Sequence, residues 1–219
     1  SSYPYNAVEF VLKFAKLKLS EVDHIVFYEK PFLKFERLLE TYVAFAPRGF
    51  KQFTKSMPTW LREKLFQKNM LMKLLKEHDK NFKYENKIYF SEHHLSHAAS
   101  AFFPSPFKDS AIITMDGVGE LVTTSIGVGK GNKIETLKEI NFPHSLGLFY
   151  ASFTDFLGFK VNSGEYKVMG LAPYGNDLYS KIIEDNLITI YQDGSFKLNM
   201  EYFDYCIKPK MIGKKFEDL

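Results

Sequence analysis

The chain has 219 residues, 45% of them hydrophobic and 25% charged, and this balance excludes a largely disordered protein. Its formal net charge of +3 creates no overall field that would favour nucleic acid or a membrane surface as a partner. The single cysteine, Cys206, excludes an intrachain disulfide, and no apolar run approaches the roughly 20 residues of a membrane span. The N-terminus has no signal-peptide pattern, so we expect a soluble, cytoplasmic, globular protein.

Helical patterns dominate the chain before residue 108. The predicted elements of this part are a helix over residues 7–19, a buried strand over 24–28, a helix over 32–45, a strand over 87–90 and a helix over 93–103. Pro31 is placed to begin the second helix, and Pro104 ends the last one, because proline is tolerated in a first helical turn but not in a helix interior.

Residues 48–76 form a basic stretch in which eight Lys or Arg residues face one acid, Glu63, a local charge of +7. Apolar residues are interleaved at helical intervals. The stretch is either a patch for nucleic acid or another anionic surface, or a set of amphipathic helices whose polar face is basic. We favour the second interpretation, a helical cover on the domain.

Strands and helices alternate after residue 108. The predicted elements are strands over residues 111–115, 121–128 and 133–140, helices over 145–157 and 178–187, and a hairpin over 188–198 closed by Asp193 and Gly194. Short turns between the first three strands predict an antiparallel meander, and the largely apolar strand 111–115 is expected to be central. The class is therefore α/β or α+β.

Two histidines, His93 and His97, are spaced for a metal site. Residues four apart lie on one face of a helix, so their imidazoles can converge on one ion while His94 points elsewhere. Imidazole nitrogens suit zinc, iron(II), manganese or cobalt. The alternative, which spacing leaves open, is that one histidine caps the helix or packs in the core.

Asp116 follows an apolar strand directly and begins the sequence DGVGE. A carboxylate at a strand end, beside glycines that allow a ligand close to the backbone, suits a metal or the phosphate of a nucleotide. An ordinary glycine-rich turn, with Asp116 as a turn residue, is an equal alternative.

Two further glycine motifs carry weaker signals. Residues 127–131, GVGKG, resemble a phosphate loop but lead into a strand pattern, so we interpret them as a hairpin turn. In residues 162–167, NSGEYK, Asn162 or Ser163 could cap a helix and Lys167 could meet an anion there. An ordinary capped helix between loops explains the same residues.

Taken together, these segments resemble the O-carbamoyltransferase family. The segments that carry the resemblance are HHLSHAASAFFPSPF (93–107), ITMDGVGE (113–120), FPHSLGLFY (142–150) and GFKVNSGEYKVMGLAPYG (158–175). The family includes antibiotic and nodulation-factor carbamoyltransferases and is related to the tRNA threonylcarbamoyl transferases.

The resemblance implies an actin-like, sugar-kinase-like ATPase fold, an α/β architecture with mixed sheets flanked by helices. It implies His93, His97 and Asp116 as ligands of a divalent metal near the nucleotide phosphates, iron(II) first, with manganese, magnesium or zinc as alternatives. It also implies a pocket for ATP or carbamoyl-adenylate, lined by Gly117, Gly119, Asn162, Ser163, Gly164, Glu165 and Lys167.

The reaction implied by the resemblance has two steps. A YrdC-like domain makes carbamoyl-adenylate from carbamoyl phosphate and ATP, and the actin-like domain then transfers the carbamoyl group to a hydroxyl of a sugar or natural product, releasing AMP. A nearby carboxylate can take the hydroxyl proton, and Asp204 is our candidate for that base, with a surface aspartate beside aromatic residues as the alternative. Self-association into a homodimer is left open.

The resemblance also implies a domain organisation. Residues 1–108 would hold the remainder of the first actin-like half, with a helical insertion over about 30–80, and residues 109–219 would begin the second half. Members of the family have an additional N-terminal strand, the rest of the second half with another metal-ligating aspartate, and the YrdC-like domain. We therefore expect an internal part of a longer enzyme that does not run the full reaction alone.

A second functional hypothesis is a nucleotide- or RNA-binding actin-like module, by analogy with the tRNA-modifying relatives. Salt-dependent RNA binding that is lost when Lys64, Lys68, Lys73 and Lys76 are neutralised would favour it. A purely structural domain is the third hypothesis, and it requires that replacing His93 and His97 changes neither metal content nor ligand binding.

Overall fold

The computed structural model describes residues 3–61, 66–83 and 87–219, and these form a mixed α/β architecture of helices and small sheets. The first part contains α1 (Tyr5–Ala15), β1 (Ile25–Phe27), α2 (Pro31–Phe45), α3 (Phe50–Thr59), α4 (Gln67–His78), β2 (Ile88–Phe90) and α5 (His93–Phe102). The second contains β3 (Asp109–Met115), β4 (Val122–Lys130), β5 (Lys133–Asn141), α6 (Leu146–Phe156), α7 (Glu165–Leu171), α8 (Ser180–Asn186), β6 (Ile188–Ile190), β7 (Phe196–Leu198) and α9 (Lys214–Glu217).

β1 and β2 form a parallel pair in which Ile25 lies opposite Ile88. Both carboxyl ends therefore point to the same edge of the pair, where α2 and α5 begin. Burial of β1 is only partial, and Val26 is 61% exposed, so the prediction of a buried strand was wrong. A small core of four buried residues supports this part of the fold: Leu19, Leu75, Phe82 and Ile88.

α1 is shorter than the helix predicted over residues 7–19. Lys16 adopts the left-handed conformation, with φ of 56°, and its backbone N–H returns to carbonyls of the last turn, which ends the helix at Ala15. Leu19 then lies in a short 3₁₀ turn and is buried in the N-terminal core, so the apolar pattern beyond residue 15 serves packing without continuing the helix.

The basic stretch contains α3 and α4. Leu75 of α4 is buried, whereas Lys68, Lys73 and Lys76 are exposed, which is the arrangement that an amphipathic helical cover predicts. Lys64 and its neighbours 62, 63 and 65 lie outside the described residues, and so does residue 86, so the prediction for them stays open.

β3, β4 and β5 form the predicted antiparallel meander, in the order β3-β4-β5. β4 is the central strand of this sheet, and the prediction that residues 111–115 are central was wrong, because Ile113 and Met115 are each 60% exposed on the face that α5 leaves open. α5 covers the other face, where Ala98 and Phe102 pack with Ile112. Asp109 of β3 lies opposite Lys130 of β4, and Lys130 in turn lies opposite Lys133 of β5.

The glycine motif over residues 127–131 is a hairpin, as predicted, but most of it is strand. Residues 127–130 belong to β4, and the turn is confined to Gly131 and Asn132, where Gly131 has φ of 58°. Gly129 is required inside the strand because an added Cβ would lie 2.6 Å from the Phe102 ring of α5. These glycines therefore serve sheet and helix packing.

The C-terminal part has its own core, formed by eight buried residues: Leu187, Ile188, Phe196, Leu198, Tyr202, Phe203, Ile212 and Phe216. β6 and β7 pair as the predicted hairpin, with Gly194 at φ of 81° in the turn. Phe149 and Phe153 of α6 pack against this core, so α6 connects the C-terminal part to the meander.

The mixed class that the sequence predicts is confirmed, while the actin-like fold and the division at residue 108 remain predictions. No helix among the described residues is both long and apolar enough to cross a membrane.

We predict that Leu187→Ala lowers the free energy of unfolding by about 2–5 kcal/mol, because Leu187 is 1% exposed and the truncation leaves a cavity in the C-terminal core. Urea denaturation measures the change. Ile190→Ala is the matched control, because Ile190 is 64% exposed and its truncation is expected to be nearly neutral. Equal losses in the two variants would show that this core is not packed as described.

Candidate metal centre

Two strand ends position the two histidines and Asp116. β2 ends at Phe90, and after Ser91 and Glu92 the chain enters α5 with His93 as its first helical residue. Asp116 follows β3 directly, and its backbone N–H donates to the Thr123 carbonyl at 2.9 Å, which fixes the residue at the mouth of the β3–β4 connection. The helical spacing then places His97 one turn beyond His93 on the same face.

The three side chains converge as a cluster whose candidate ligand atoms all lie within 4.8 Å of one another. His93 Nε2 is 2.7 Å from Asp116 Oδ2, and His97 Nε2 is 3.0 Å from His93 Nε2 and 3.9 Å from Asp116 Oδ2. The His93 side chain is 13% exposed and that of His97 is 50% exposed. The cluster is therefore open to solvent on the His97 side.

The electrostatics of the cluster keep its carboxylate ionised. The hydrogen bond from His93, followed by the backbone N–H of Gly117, lowers the pKa of Asp116 to about 2 against the opposing effect of burial. Because the shift is downward, the negative charge is present at neutral pH and is lost only as pH falls through that value. The Asp116 carboxylate therefore carries its negative charge at neutral pH, where it can attract a cation.

The residues present fit a divalent ion. Two imidazole nitrogens and one carboxylate are the donor set that non-haem iron(II) uses, and manganese and zinc accept the same donors. The three donors already converge, so holding an ion would require little rearrangement of their side chains beyond the loss of the hydrogen bond between His93 Nε2 and Asp116.

His94 points away from this cluster, as the helical spacing predicts. It is 7% exposed, and its Nδ1 lies 2.5 Å from Thr114 Oγ1, which in turn lies 2.6 Å from Ser125 Oγ. Burial lowers the pKa of His94, with a further contribution from His93. These hydrogen bonds from His94 to Ser125 join α5 to β3 and β4, a connection that local sequence patterns do not predict.

The glycines of DGVGE allow close packing around the cluster. A Cβ on Gly119 would lie 2.4 Å from the His93 Cδ2, so residue 119 must be glycine for the histidine to occupy its position. A Cβ on Gly147 would likewise lie 2.7 Å from the Gly117 backbone, so α6 begins in direct contact with the turn. Whether Gly117 and Gly119 also line a nucleotide pocket stays a prediction.

Ser145 fixes the start of α6 against the same turn. Its side chain is fully buried and accepts the Leu148 N–H at 3.0 Å as the helix N-cap. The same hydroxyl lies 2.9 Å from the Asp116 carbonyl and 2.6 Å from the Gly117 carbonyl. The cap therefore joins α6 to the backbone that carries Asp116.

The NSGEYK block forms the start of α7 but not with the predicted caps. Gly164 is the N-cap residue, and the prediction that Asn162 or Ser163 caps the helix was wrong, because no side-chain cap is formed. Instead the Glu165 carboxylate accepts the N–H groups of Asn162, at 2.9 Å, and Gly164, at 3.2 Å. Lys167 lies over the Phe159 ring at 5.9 Å. A role of this block in binding a nucleotide stays a prediction.

Asp204 lies in the C-terminal part, where its carboxylate pairs with Lys208 at 2.7 Å. Its side chain is 14% exposed and that of Lys208 is 61% exposed, so the alternative of a surface aspartate beside aromatic residues stays open. The structure shows Asp204 with its lysine partner, and its use as a general base stays a prediction.

The fold and the cluster describe a mixed α/β protein in which strand ends assemble two imidazoles and a carboxylate. The sequence matches the Carbamoyltransferase N-terminus family over residues 1–219. The chain therefore belongs to the carbamoyltransferase family and corresponds to its N-terminal region.

Individual relatives agree with this assignment. The chain is 55% identical over 220 residues to the uncharacterized protein sll1178 of Synechocystis sp., covering 100% of this chain and 36% of that protein. It is 31% identical over 201 residues to nodulation protein NolNO of Sinorhizobium fredii, covering 90% of this chain and 27% of that protein. Nodulation protein NolO of Bradyrhizobium diazoefficiens is 38% identical over 112 residues, which cover 50% of this chain and 20% of that protein. The chain thus spans about a third or less of the curated relatives it matches.

We predict that Gly119→Ala destabilises the protein by about 1–3 kcal/mol, because the new methyl group overlaps the His93 ring and forces it to move. The free energy of unfolding comes from urea denaturation, and the His93 ring resonances in NMR spectra report the displacement.

Gly170→Ala is the matched control for this substitution. Gly170 lies inside α7 with open space around its Cβ position, so alanine there is expected to be neutral or stabilising. If Gly119→Ala were as stable as Gly170→Ala and left the His93 resonances in place, the described contact between residue 119 and His93 would be wrong.

Proposed function

We propose that this chain forms the metal- and nucleotide-binding part of an enzyme that transfers a carbamoyl group to a hydroxyl of a sugar or natural product. The observation that supports the proposal most directly is the cluster of His93, His97 and Asp116, found in a chain that belongs to the carbamoyltransferase family. Carbamoyl phosphate supplies the carbamoyl group, and ATP activates it as carbamoyl-adenylate.

The three clustered side chains hold the divalent ion in this proposal. Iron(II) is our first candidate, with manganese, magnesium and zinc as alternatives, since all accept nitrogen or oxygen ligands. When bound, the ion neutralises phosphate charge and polarises the acyl group. The ionised Asp116 supplies the negative charge of the site, and His93, which is mostly buried, supplies the most fixed imidazole.

The nucleotide binds beside the cluster in this proposal. Gly117, whose Cβ position meets only Leu148 at 3.9 Å, leaves room for a phosphate beside the turn, and Gly119 contributes its backbone to the same wall. The NSGEYK block with Asn162, Ser163, Gly164, Glu165 and Lys167 contributes a second wall. The Tyr150 hydroxyl of α6 lies 3.4 Å from the Glu165 carbonyl, and Ser145, the N-cap of α6, lies 2.9 Å from the Asp116 carbonyl, so the N-terminal half of α6 contacts both walls.

The transfer step balances as a simple acyl substitution. The acceptor hydroxyl oxygen forms a bond to the carbamoyl carbon, the bond from that carbon to the adenylate phosphate oxygen breaks, and AMP leaves. The hydroxyl proton passes to a carboxylate acting as general base. Asp204 is our candidate for this base, and in that role it would exchange its Lys208 partner for the acceptor.

An actin-like fold, a YrdC-like domain for the first step and a cytoplasmic location complete this proposal. The fold and the YrdC-like domain rest on the family to which the chain belongs, and the location rests on the single cysteine, Cys206, which fits a reducing compartment.

We predict that the double variant His93→Ala/His97→Ala binds no stoichiometric divalent metal, because two of the three candidate ligands are removed. Elemental analysis of protein purified after anaerobic loading with iron(II), and separately with zinc, measures the content. His24→Ala is the control, because His24 contacts Tyr89 at the edge of the β1–β2 pair and lies outside the cluster. Equal metal content in wild type and double variant would contradict the site.

The activity itself is tested on the whole protein with ATP, carbamoyl phosphate and a panel of hydroxyl acceptors. We expect acceptor-dependent AMP release that falls roughly 100-fold or more in His93→Ala/His97→Ala, since a bound ion supplies several kcal/mol of charge stabilisation. Unchanged AMP release in the double variant would contradict the proposed use of the cluster, and RNA binding without AMP release would favour the binding-module hypothesis instead.

A further inference from the structure

Glu120 is a buried carboxylate that contacts the starts of two helices. It is 6% exposed and lies in the turn between β3 and β4, four residues after Asp116. Its Oε1 accepts the backbone N–H of Lys30, the N-cap residue of α2, and its Oε2 accepts the backbone N–H of His93 at 3.2 Å. One side chain therefore ties both helices to the turn that carries Asp116.

This arrangement is well suited to an ionised carboxylate. The first N–H groups of a helix have no partner within the helix, and the helix dipole places positive charge at the same end. Neither Lys30 nor Glu92, the N-cap residues of α2 and α5, forms a side-chain cap. Glu120 supplies an acceptor to one N–H group at the start of each helix. Charge-assisted hydrogen bonds of this kind are stronger than neutral ones.

The turn is also held from its other side. Arg37 of α2 donates to the Gly119 carbonyl at 2.9 Å and to the Glu120 carbonyl at 2.7 Å. Burial lowers the pKa of Arg37 to about 10, so the guanidinium is still charged at neutral pH. α2 therefore donates hydrogen bonds to the turn at two kinds of acceptor, the backbone carbonyls of Gly119 and Glu120 and the side-chain carboxylate of Glu120.

The position of His93 depends on this turn. The Cβ position of Gly119 lies against the His93 ring, and the adjacent Glu120 holds the His93 backbone, so both ends of the histidine contact consecutive residues. Asp116 belongs to the same turn. Any shift of Glu120 therefore changes the distance between two candidate metal ligands that come from different elements.

We propose that Glu120 is a positioning residue for the metal centre, which sets the separation of His93 and Asp116 by holding the first residues of α2 and α5. This inference rests on the metal site of the proposed function. Glu120 itself stays engaged with the two backbone N–H groups and does not ligate the ion.

Glu120→Gln tests the proposal, because it keeps the size of the side chain but replaces one acceptor oxygen with an amide that cannot accept. We expect the affinity for cobalt(II), measured by titration of its visible absorption, to fall roughly 10–100-fold, the usual effect of losing a group that orients a metal ligand. We also expect the absorption spectrum of the bound cobalt to change, because the ligand geometry changes.

Asp79→Asn is the matched control. The Asp79 carboxylate also accepts two backbone N–H groups, from Ser20 at 3.1 Å and from Asn81 at 2.9 Å, but these groups belong to the N-terminal part and not to the cluster. We expect this variant to lose stability without any change in cobalt affinity or spectrum. A change of equal size in both variants would overturn the proposal and indicate a general loss of stability.

Arg37→Lys is a second variant that loosens the same turn while leaving Glu120 intact, and it serves if Glu120→Gln does not fold. It removes the guanidinium, whose Nη1 donates to both carbonyls, and we expect a smaller fall in cobalt affinity with the same direction of spectral change. Wild-type affinity and spectrum in folded Glu120→Gln would overturn the positioning role while leaving the metal site in place. Absence of cobalt binding by the wild type would instead overturn the proposed function and this inference together.

Discussion

The close approach between the turn at residues 116–120 and the first turn of α5 is the constraint on which the candidate site depends. Only a glycine at position 119 leaves room for the His93 ring, and only with that ring in place does Nε2 come to 2.7 Å from Asp116. Hydrogen bonds from Arg37 of α2 and from Ser145 at the start of α6 hold this turn in place. The site is therefore assembled by close packing between the turn and the first residues of α5.

This constraint explains why the cluster can be both ordered and open. His93 is mostly buried and contacts the turn, whereas His97 lies one helical turn farther out with half of its side chain exposed. Asp116 is ionised because hydrogen bonds to its carboxylate outweigh the cost of partial burial. An ion could thus approach from the His97 side and meet a charge already in place.

Local sequence patterns predict many of the helices and strands but few of the long-range contacts between them. The meander, the β6–β7 hairpin and the facing of His93 and His97 follow from periodicity and turn residues, which act over a few positions. The edge position of β3, the parallel pairing of β1 with β2 and the roles of Arg37 and Glu120 depend on residues up to 90 positions apart. A single sequence carries no direct signal for such distant pairings, and the DGVGE motif does not indicate that Glu120 contacts α2 and α5.

The family assignment and the candidate metal cluster rest on different observations. Membership rests on the match over residues 1–219, while the cluster rests on distances between side chains that lie 23 positions apart in the chain. The NSGEYK block differs from the expectation in how α7 begins, since Glu165 and not Asn162 or Ser163 binds the free N–H groups. The proposed place of the block beside the nucleotide does not depend on this difference. The N–H groups of Asn162 and Gly164, however, are already bound to the Glu165 carboxylate.

The most direct test of the account is a crystal structure of the protein loaded with zinc or iron(II), with anomalous scattering recorded at the absorption edge of the metal. The account predicts one strong anomalous peak at about 2.0–2.2 Å from Nε2 of His93, Nε2 of His97 and a carboxylate oxygen of Asp116. A loaded protein whose metal lies elsewhere, with His93 and Asp116 still joined by their own hydrogen bond, would contradict it.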